Sequence, residues 1–232
     1  MRIFPKQFVF LILAAGLLAL APAGAADAAD GPWVTPKDIP IPPLKPVPTL
    51  EPEKFTLPNG MTFFLFEDHD FPLVDAHAIV RVGSMYDPRD KVGLASITGE
   101  VMRSGGTTLM TGDALDERLE SLGASVELGI GGAQGTASLS VLSQDAEEGM
   151  QILSEVLRKP AFPEDKIDLA KKQERTAIAS RNDEPLAILG REIPKLIYGK
   201  DHPLARHTEY ATIEAITRVD LQAFHAEFFH PD

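Results

Sequence analysis

The sequence predicts an α+β domain, an αβ-roll sandwich in which a mostly antiparallel sheet is covered by helices. Three observations carry this prediction. Two β-prone segments open the domain, a glycine-linked pair of period-2 segments forms a hairpin in its middle, and segments of helical period surround that hairpin. No internal repeat interrupts this order.

The elements follow from local chemistry. In "KFTLPNGMTFFLFEDHD", Asn59-Gly60 is a turn dipeptide, and Thr62 to Phe66 reads as the strand after it. "PLVDAHAIVRVGS" alternates through Val74, Ala76, Ala78 and Val80, giving a second strand. Val92 to Arg103 has the pattern of a short amphipathic helix stopped by Gly105-Gly106. A second helix sets Leu115, Leu119 and Leu122 on one face, with Gly123 past its end. Val126/Leu128/Ile130 and Ala137/Leu139/Val141, joined by "GGAQG", form the hairpin; no Lys-Ser/Thr follows the glycines, so a phosphate cradle is not indicated. Ser143 is placed to cap the next helix, whose Met150, Leu153 and Leu157 repeat at helical spacing. Pro163 then sits in the first turn of a long polar helix running to Arg181, and a further helix from Pro185 to Tyr198 contains Pro194, expected to kink or end it. In "TRVDLQAFHAEFF", Thr217 and Asp220 form a variant capping box before an apolar face of Leu221, Phe224 and Phe228.

The residues ahead of this domain have a different character. Arg2 and Lys6 precede an apolar run from Phe8 to Leu20 and small residues around Ala23, Ala25 and Ala28, the pattern of a signal peptide over residues 1–25. The run is shorter than the ~20 apolar residues that a membrane span needs, so no transmembrane anchor is expected after cleavage. Residues 26–53 form a proline-rich linker, with 8 of the 19 prolines between Pro32 and Pro52 holding the backbone toward polyproline II. Residues 54–232 are left for one domain, enough to enclose a core. The absence of cysteine excludes a disulfide framework and a lipidated cysteine. Removing residues 1–25 takes away two basic residues and no acidic ones, so 22 − 2 = 20 Lys+Arg face 34 Asp+Glu, a net charge near −14. Such a surface repels nucleic acid and anionic lipid.

The strings "LPNGMTFFLFED", "VRVGSMYDPRDKVGLA", "LESLGASVE", "LSVLSQDAEEGMQILSEVLRKPAFPEDKID", "RNDEP", "IYGKDHP" and "ITRVDLQAFHAEFFHPD" occur in an order that resembles the N-terminal domain of the pitrilysin/insulinase-like metallopeptidases, the inverzincins. The resemblance runs from about Phe55 to Asp232 and implies an αβ roll, paired in the family with a second such domain or subunit around a chamber that degrades peptides. Active members carry His-x-x-Glu-His on the helix after the Gly-Leu-Ala string. Residues at i and i+4 share a helix face, so two imidazoles converge on zinc while the glutamate between them acts as general base. A glutamate from a later helix completes the ligands.

Here the motif reads "SITGE". The resemblance places Ser96 at the first histidine, Gly99 at the base and Glu100 at the second histidine. The distal ligand position falls on Thr176 or Ala177, with Glu174 about one turn too early; Ala177 is the assignment carried forward. No catalytic residue and no metal ligand is therefore expected in this chain. Glu100 reads as an isolated surface acid, and Gly99 costs the helix ~1 kcal/mol relative to alanine unless a close backbone contact uses the space. His225 and His230 lie five apart and do not share a helix face. His69, His77, His202 and His207 read as turn or surface residues.

The leading expectation is a non-catalytic subunit, periplasmic or secreted, whose partners are a catalytic metallopeptidase subunit and an extended peptide substrate. It would hold no cofactor itself, with zinc only in the partner. An active zinc metalloendopeptidase with non-standard ligands, and a periplasmic binding or scaffold protein, are the alternatives. Family subunits continue beyond "FFHPD" with a strand and a second homologous domain. A truncated chain ending at Asp232 is therefore expected to associate or to be poorly soluble through an unpaired sheet position.

Overall fold

The computed structural model describes residues 51–230, so the signal peptide and most of the proline-rich linker lie outside the described residues. Its strands are β1 (Glu53–Thr56), β2 (Thr62–Leu65), β3 (Leu73–Val80), β4 (Ser125–Ile130) and β5 (Gly135–Leu142). Its α-helices are α1 (Leu94–Ser104), α2 (Gly112–Leu122), α3 (Ala146–Arg158), α4 (Glu164–Ser180), α5 (Pro185–Tyr198), α6 (Tyr210–Glu214) and α7 (Arg218–Phe228). The architecture is α+β: antiparallel sheet with helices on one side, as the patterning predicts.

The strands form two sheets. β1 and β2 make a separate hairpin around Asn59-Gly60, in register Glu53 to Leu65. The main sheet has the order β3-β5-β4, all antiparallel. Pro72 O accepts from Ser143 N at 2.9 Å and Gly131 N donates to Gln134 O at 2.9 Å. Antiparallel bonding alternates along a strand, so odd-numbered residues of β5 bond to β3 and even-numbered ones to β4. The two outer strands consequently point the backbone groups of Leu73, Asp75, His77 and Ile79, and of Val126, Leu128 and Ile130, away from the sheet.

Period-2 patterning sets which face is covered. Ala137, Leu139 and Val141 of β5 are buried together with Leu115, Leu119 and Leu122 of α2 and Ile152, Leu153 and Val156 of α3. A second cluster joins Leu94, Ile97, Val101 and Met102 of α1 to Ile167, Ala170 and Ile178 of α4 and Leu221 and Phe224 of α7. The opposite face of the sheet is open and polar, with Asp75, His77, Glu127 and Thr136 exposed.

Several expectations are confirmed at atomic level. Gly123 ends α2 in the left-handed region at φ 59°, which a side chain would resist. Thr217 and Asp220 form both reciprocal bonds of a capping box on α7. Others need correction. Ser143 does not cap α3: it opens a 3₁₀ turn, Ser143–Asp145, that leads into the helix. Met150 is 42% exposed, because α3 turns Gly149, Ile152, Leu153 and Val156 inward. Pro163 stands at the N-cap of α4 rather than inside it. Pro194 does not end α5, which continues to Tyr198. Backbone bonding resumes beyond the ring, with Gly199 N donating to Lys195 O at 3.1 Å. β1 is an additional strand.

Candidate functional site

The helix carrying "SITGE" is fastened at its start. Asp87, 2% exposed, accepts from Gly93 N (Oδ2, 2.8 Å) and from Ala95 N (Oδ1, 2.9 Å), satisfying amides at the N-terminus of α1. Burial raises the Asp87 carboxyl above its ordinary range, against the opposing pull of those amides and of Arg206. Arg206 Nη1 donates to Asp87 O at 3.0 Å, and Thr212 Oγ1 donates to Val92 O at 2.8 Å. Lys91 pairs with Asp220 of α7 at 2.5 Å. Burial would raise Asp220, but bonds from Lys91 and Thr217 outweigh it and hold the carboxyl below its ordinary value.

From this anchored start, α1 runs across β4. Leu94, Ala95, Ile97, Thr98, Gly99, Val101 and Met102 are buried, while Ser96 and Glu100, four apart, share the outward face. Between that face, β4 and α4 lies an open cleft of about 330 Å³. Ser96, Ile97 and Glu100 line it from α1, Leu128, Gly129 and Ile130 from β4, and Ala170, Gln173, Glu174 and Ala177 from α4.

Of the motif positions, the structure thus brings Ser96, Glu100 and Ala177 to one cleft. Thr176 is not among its lining residues; its hydroxyl donates to Lys172 O within its own helix. Glu174 corrects the sequence reading. Rather than lying a turn short of the site, it accepts from Ser96 Oγ at 3.0 Å and ties α4 to α1 across the cleft. The signal was present, since residues three apart share a helix face and Glu174 therefore accompanies Ala177. Glu100 is likewise not isolated, because Glu174 lines the same cleft.

Gly99 lies apart from this lining. A Cβ built on it would stand 3.0 Å from Ile130 Cγ1 and 3.1 Å from Ile130 N, tighter than ordinary contact. The helix packs closely on β4 at this position, the one the resemblance aligns with the family's base. That contact accounts for a glycine in a helix interior despite its conformational cost.

The donors in the cleft are two carboxylates, one hydroxyl and one carboxamide, with no imidazole or thiolate. A catalytic zinc takes three protein ligands from His, Asp, Glu or Cys and leaves a fourth position open. Ser96, Glu100 and Glu174 do not supply that set, and Ser96 commits its proton to Glu174. Among the described residues no group of three or more His, Cys, Asp or Glu is arranged to hold a metal. The histidines serve elsewhere. His225 Nε2 bonds Leu157 O at 2.8 Å, His207 Nε2 bonds Arg191 O at 3.0 Å, and Nδ1 of His202 accepts from Leu204 N at 3.2 Å.

The free edge of β4 borders the cleft. Arg103 Nε donates to Val126 O at 2.5 Å and so occupies one end of that edge. Beyond it Leu128 presents its backbone groups to the cleft, while Gly99 closes on the Ile130 amide.

A helix with this face, set between a sheet edge and a later helix, is the arrangement of a metallopeptidase-type αβ domain. The chain belongs to the insulinase family, peptidase family M16, whose family model matches residues 66–212. An uncharacterized zinc protease of Rickettsia felis is 26% identical over 153 residues, 65% of this chain and 36% of that protein. One from Rickettsia bellii is 25% identical over 150 residues, again 65% and 36%. Among solved structures, a peptidase M16 inactive domain from Pseudomonas fluorescens superposes with a TM-score of 0.70 at 28% identity, covering 76% of this chain and 43% of that one. A protease from Helicobacter pylori shares the fold with a TM-score of 0.68 at 15% identity, covering 79% and 44%. The periplasmic protease PqqL from Escherichia coli does so with 0.67 at 14%, covering 78% and 20%. The chain spans about a third of the length of these curated relatives.

Proposed function

We propose that this chain is a non-catalytic subunit of a periplasmic two-subunit zinc peptidase, binding and positioning an extended peptide while a catalytic partner subunit holds the zinc. The observation that carries this reading is the packing of Gly99 on Ile130. Where the family needs a general base, this chain has a glycine whose bare backbone is seated against a strand, so closely that even a Cβ would crowd Ile130. The donor set around Ser96, Glu100, Glu174 and Ala177 supports it, since no imidazole is within the cleft. Likeness to a solved M16 domain described as inactive agrees with it.

The binding role follows from the sheet edge. An extended peptide adding beside β4 would exchange backbone bonds with Leu128, between the Arg103 bond at Val126 and the helix contact at Ile130, gaining affinity with little dependence on its sequence. The cleft beside that edge offers the carboxylates of Glu100 and Glu174 and the exposed methyl of Ala177. A periplasmic location is supported by Arg2, Lys6, the apolar run Phe8 to Leu20 and the small residues after it. No helix among the described residues is long and apolar enough to cross a membrane.

The test is metal analysis and peptide cleavage on the purified full chain, followed by affinity capture from periplasmic extract. Substoichiometric zinc, no turnover, and capture of a metallopeptidase carrying His-x-x-Glu-His are expected. One equivalent of zinc with turnover would instead make the chain an active endopeptidase with non-standard ligands. Capture of an envelope component without a peptidase would favour a scaffold role.

A further inference from the structure

The cleft between α1, β4 and α4 is lined by charge of one sign. Glu100 and Glu174 both face it, and no lysine, arginine or histidine does. Basic residues on the two helices are committed elsewhere: Arg103 of α1 to Asp116 and Val126 O, Lys171 of α4 to Ile216 O, and Arg175 of α4 to Glu214. Among the described residues Glu174 accepts from the Ser96 hydroxyl alone, and the Glu100 carboxylate has no partner.

The strand edge fixes which part of a bound peptide reaches this pair. Leu128 points its backbone groups away from the sheet, and its half-buried side chain lies on the helix side, where it lines the cleft. Residues paired across neighbouring strands put their side chains on one face, and the residues before and after them put theirs on the other. The peptide residue that pairs with Leu128 therefore sends its side chain into the cleft, while its two neighbours point toward the open, polar face of the sheet.

We propose that the cleft selects a lysine or arginine side chain at that one position, so that the substrate class is extended peptides carrying a basic residue. This rests on the peptide-binding role proposed for the chain and adds one point of selectivity to a contact otherwise made through backbone. The long aliphatic stem of either residue lies along Leu128 and the Ala177 methyl, and its charged head meets Glu100 and Glu174. Two carboxylates in one cleft repel each other, and a cation relieves both. An acidic side chain meets like charge at the same place, so it is actively rejected. Selectivity stops at this position, because Arg103 and Gly99 occupy the edge on either side of Leu128. A divalent metal ion is the poorer occupant, since no third carboxylate or histidine joins the pair in the cleft.

Fluorescence anisotropy of the full chain at low salt tests this with three labelled peptides. They are blocked at both termini and identical except for a central lysine, glutamine or glutamate in a serine- and threonine-rich segment. The lysine peptide should bind about fivefold more tightly than the glutamine peptide and the glutamate peptide more weakly still, with the spread closing in high salt. Glu100→Gln with Glu174→Gln, which keeps an acceptor for Ser96, should bind all three alike. Glu100→Lys with Glu174→Gln should prefer the glutamate peptide. Far-UV circular dichroism checks that each variant folds. Equal binding of the three peptides by the wild type, or a lysine preference that survives in the double glutamine variant, would overturn the inference while leaving peptide binding itself intact. Binding of none of them would overturn the peptide-binding role and this inference with it.

Discussion

Two apolar helices of similar length meet opposite fates in this molecule. α1, with 11 residues, buries Leu94, Ala95, Ile97, Thr98, Gly99, Val101 and Met102 between β4, α4 and α7. α5, with 14 residues, buries none among the described residues, and Leu186 and Leu196 are 80% and 85% exposed. Composition therefore says that each can be a helix, not what each will meet. The difference lies in anchoring. α1 is held at its start by Asp87 and Thr212, and Lys91 just before it pairs with Asp220, whereas α5 is tied by Arg191 to Arg181 O and by His207 to Arg191 O.

Substitutions sharpen this contrast. Met102→Ala, at a fully buried position of α1, should cost about 2–5 kcal/mol in urea unfolding, whereas Leu196→Ala on α5 should stay within about 0.5 kcal/mol. A comparable loss at Leu196 would show that α5 is covered in solution. Asp87→Ala removes the acceptor of two buried amides and should cost about 1–3 kcal/mol, measured as a lower urea midpoint at unchanged slope. Gly99→Ala should gain ~1 kcal/mol of helix propensity but lose more by crowding Ile130, leaving a net loss of about 1 kcal/mol. A more stable Gly99→Ala protein would mean that β4 yields.

The smallest expected effect concerns pH. Burial lowers the His207 imidazole below its ordinary value, with Lys195 and Arg191 adding to the shift while the bond to Arg191 O and Glu192 oppose it. A depressed histidine favours the neutral form in the fold, so its contribution is full above the unfolded value near ~6.5 and is lost as pH falls toward the folded one. His207→Gln should flatten the fall in thermal midpoint on acidification below neutrality. An unchanged slope would place that sensitivity elsewhere.

The order of elements was legible because its signals are local: the Asn59-Gly60 turn, the Leu115, Leu119 and Leu122 face, and the Thr217–Asp220 capping box. β1 was not, since Glu53–Thr56 is too short to show a period and takes its pairing from β2. The inward face of α3 was misjudged because Met150, Ile152, Leu153, Val156 and Leu157 crowd one helix, and periodicity alone does not set its rotation. At the candidate site, Ser96, Gly99, Glu100 and Ala177 were readable from the order of motifs. The Ser96–Glu174 bond joins residues 78 positions apart and depends on how α4 crosses α1. A glycine inside a helix hinted at a tight contact; that its neighbour is Ile130 required the fold.

The Gly99 contact also constrains the order in which this site can change. A carbon added at that codon stands 3.0 Å from Ile130 Cγ1 and 3.1 Å from Ile130 N, so a side chain there is accommodated only as Ile130 gives way by a few tenths of an ångström. The step is thus unequal in its two directions: losing a side chain relieves the crowding, whereas regaining one costs stability until Ile130 makes way.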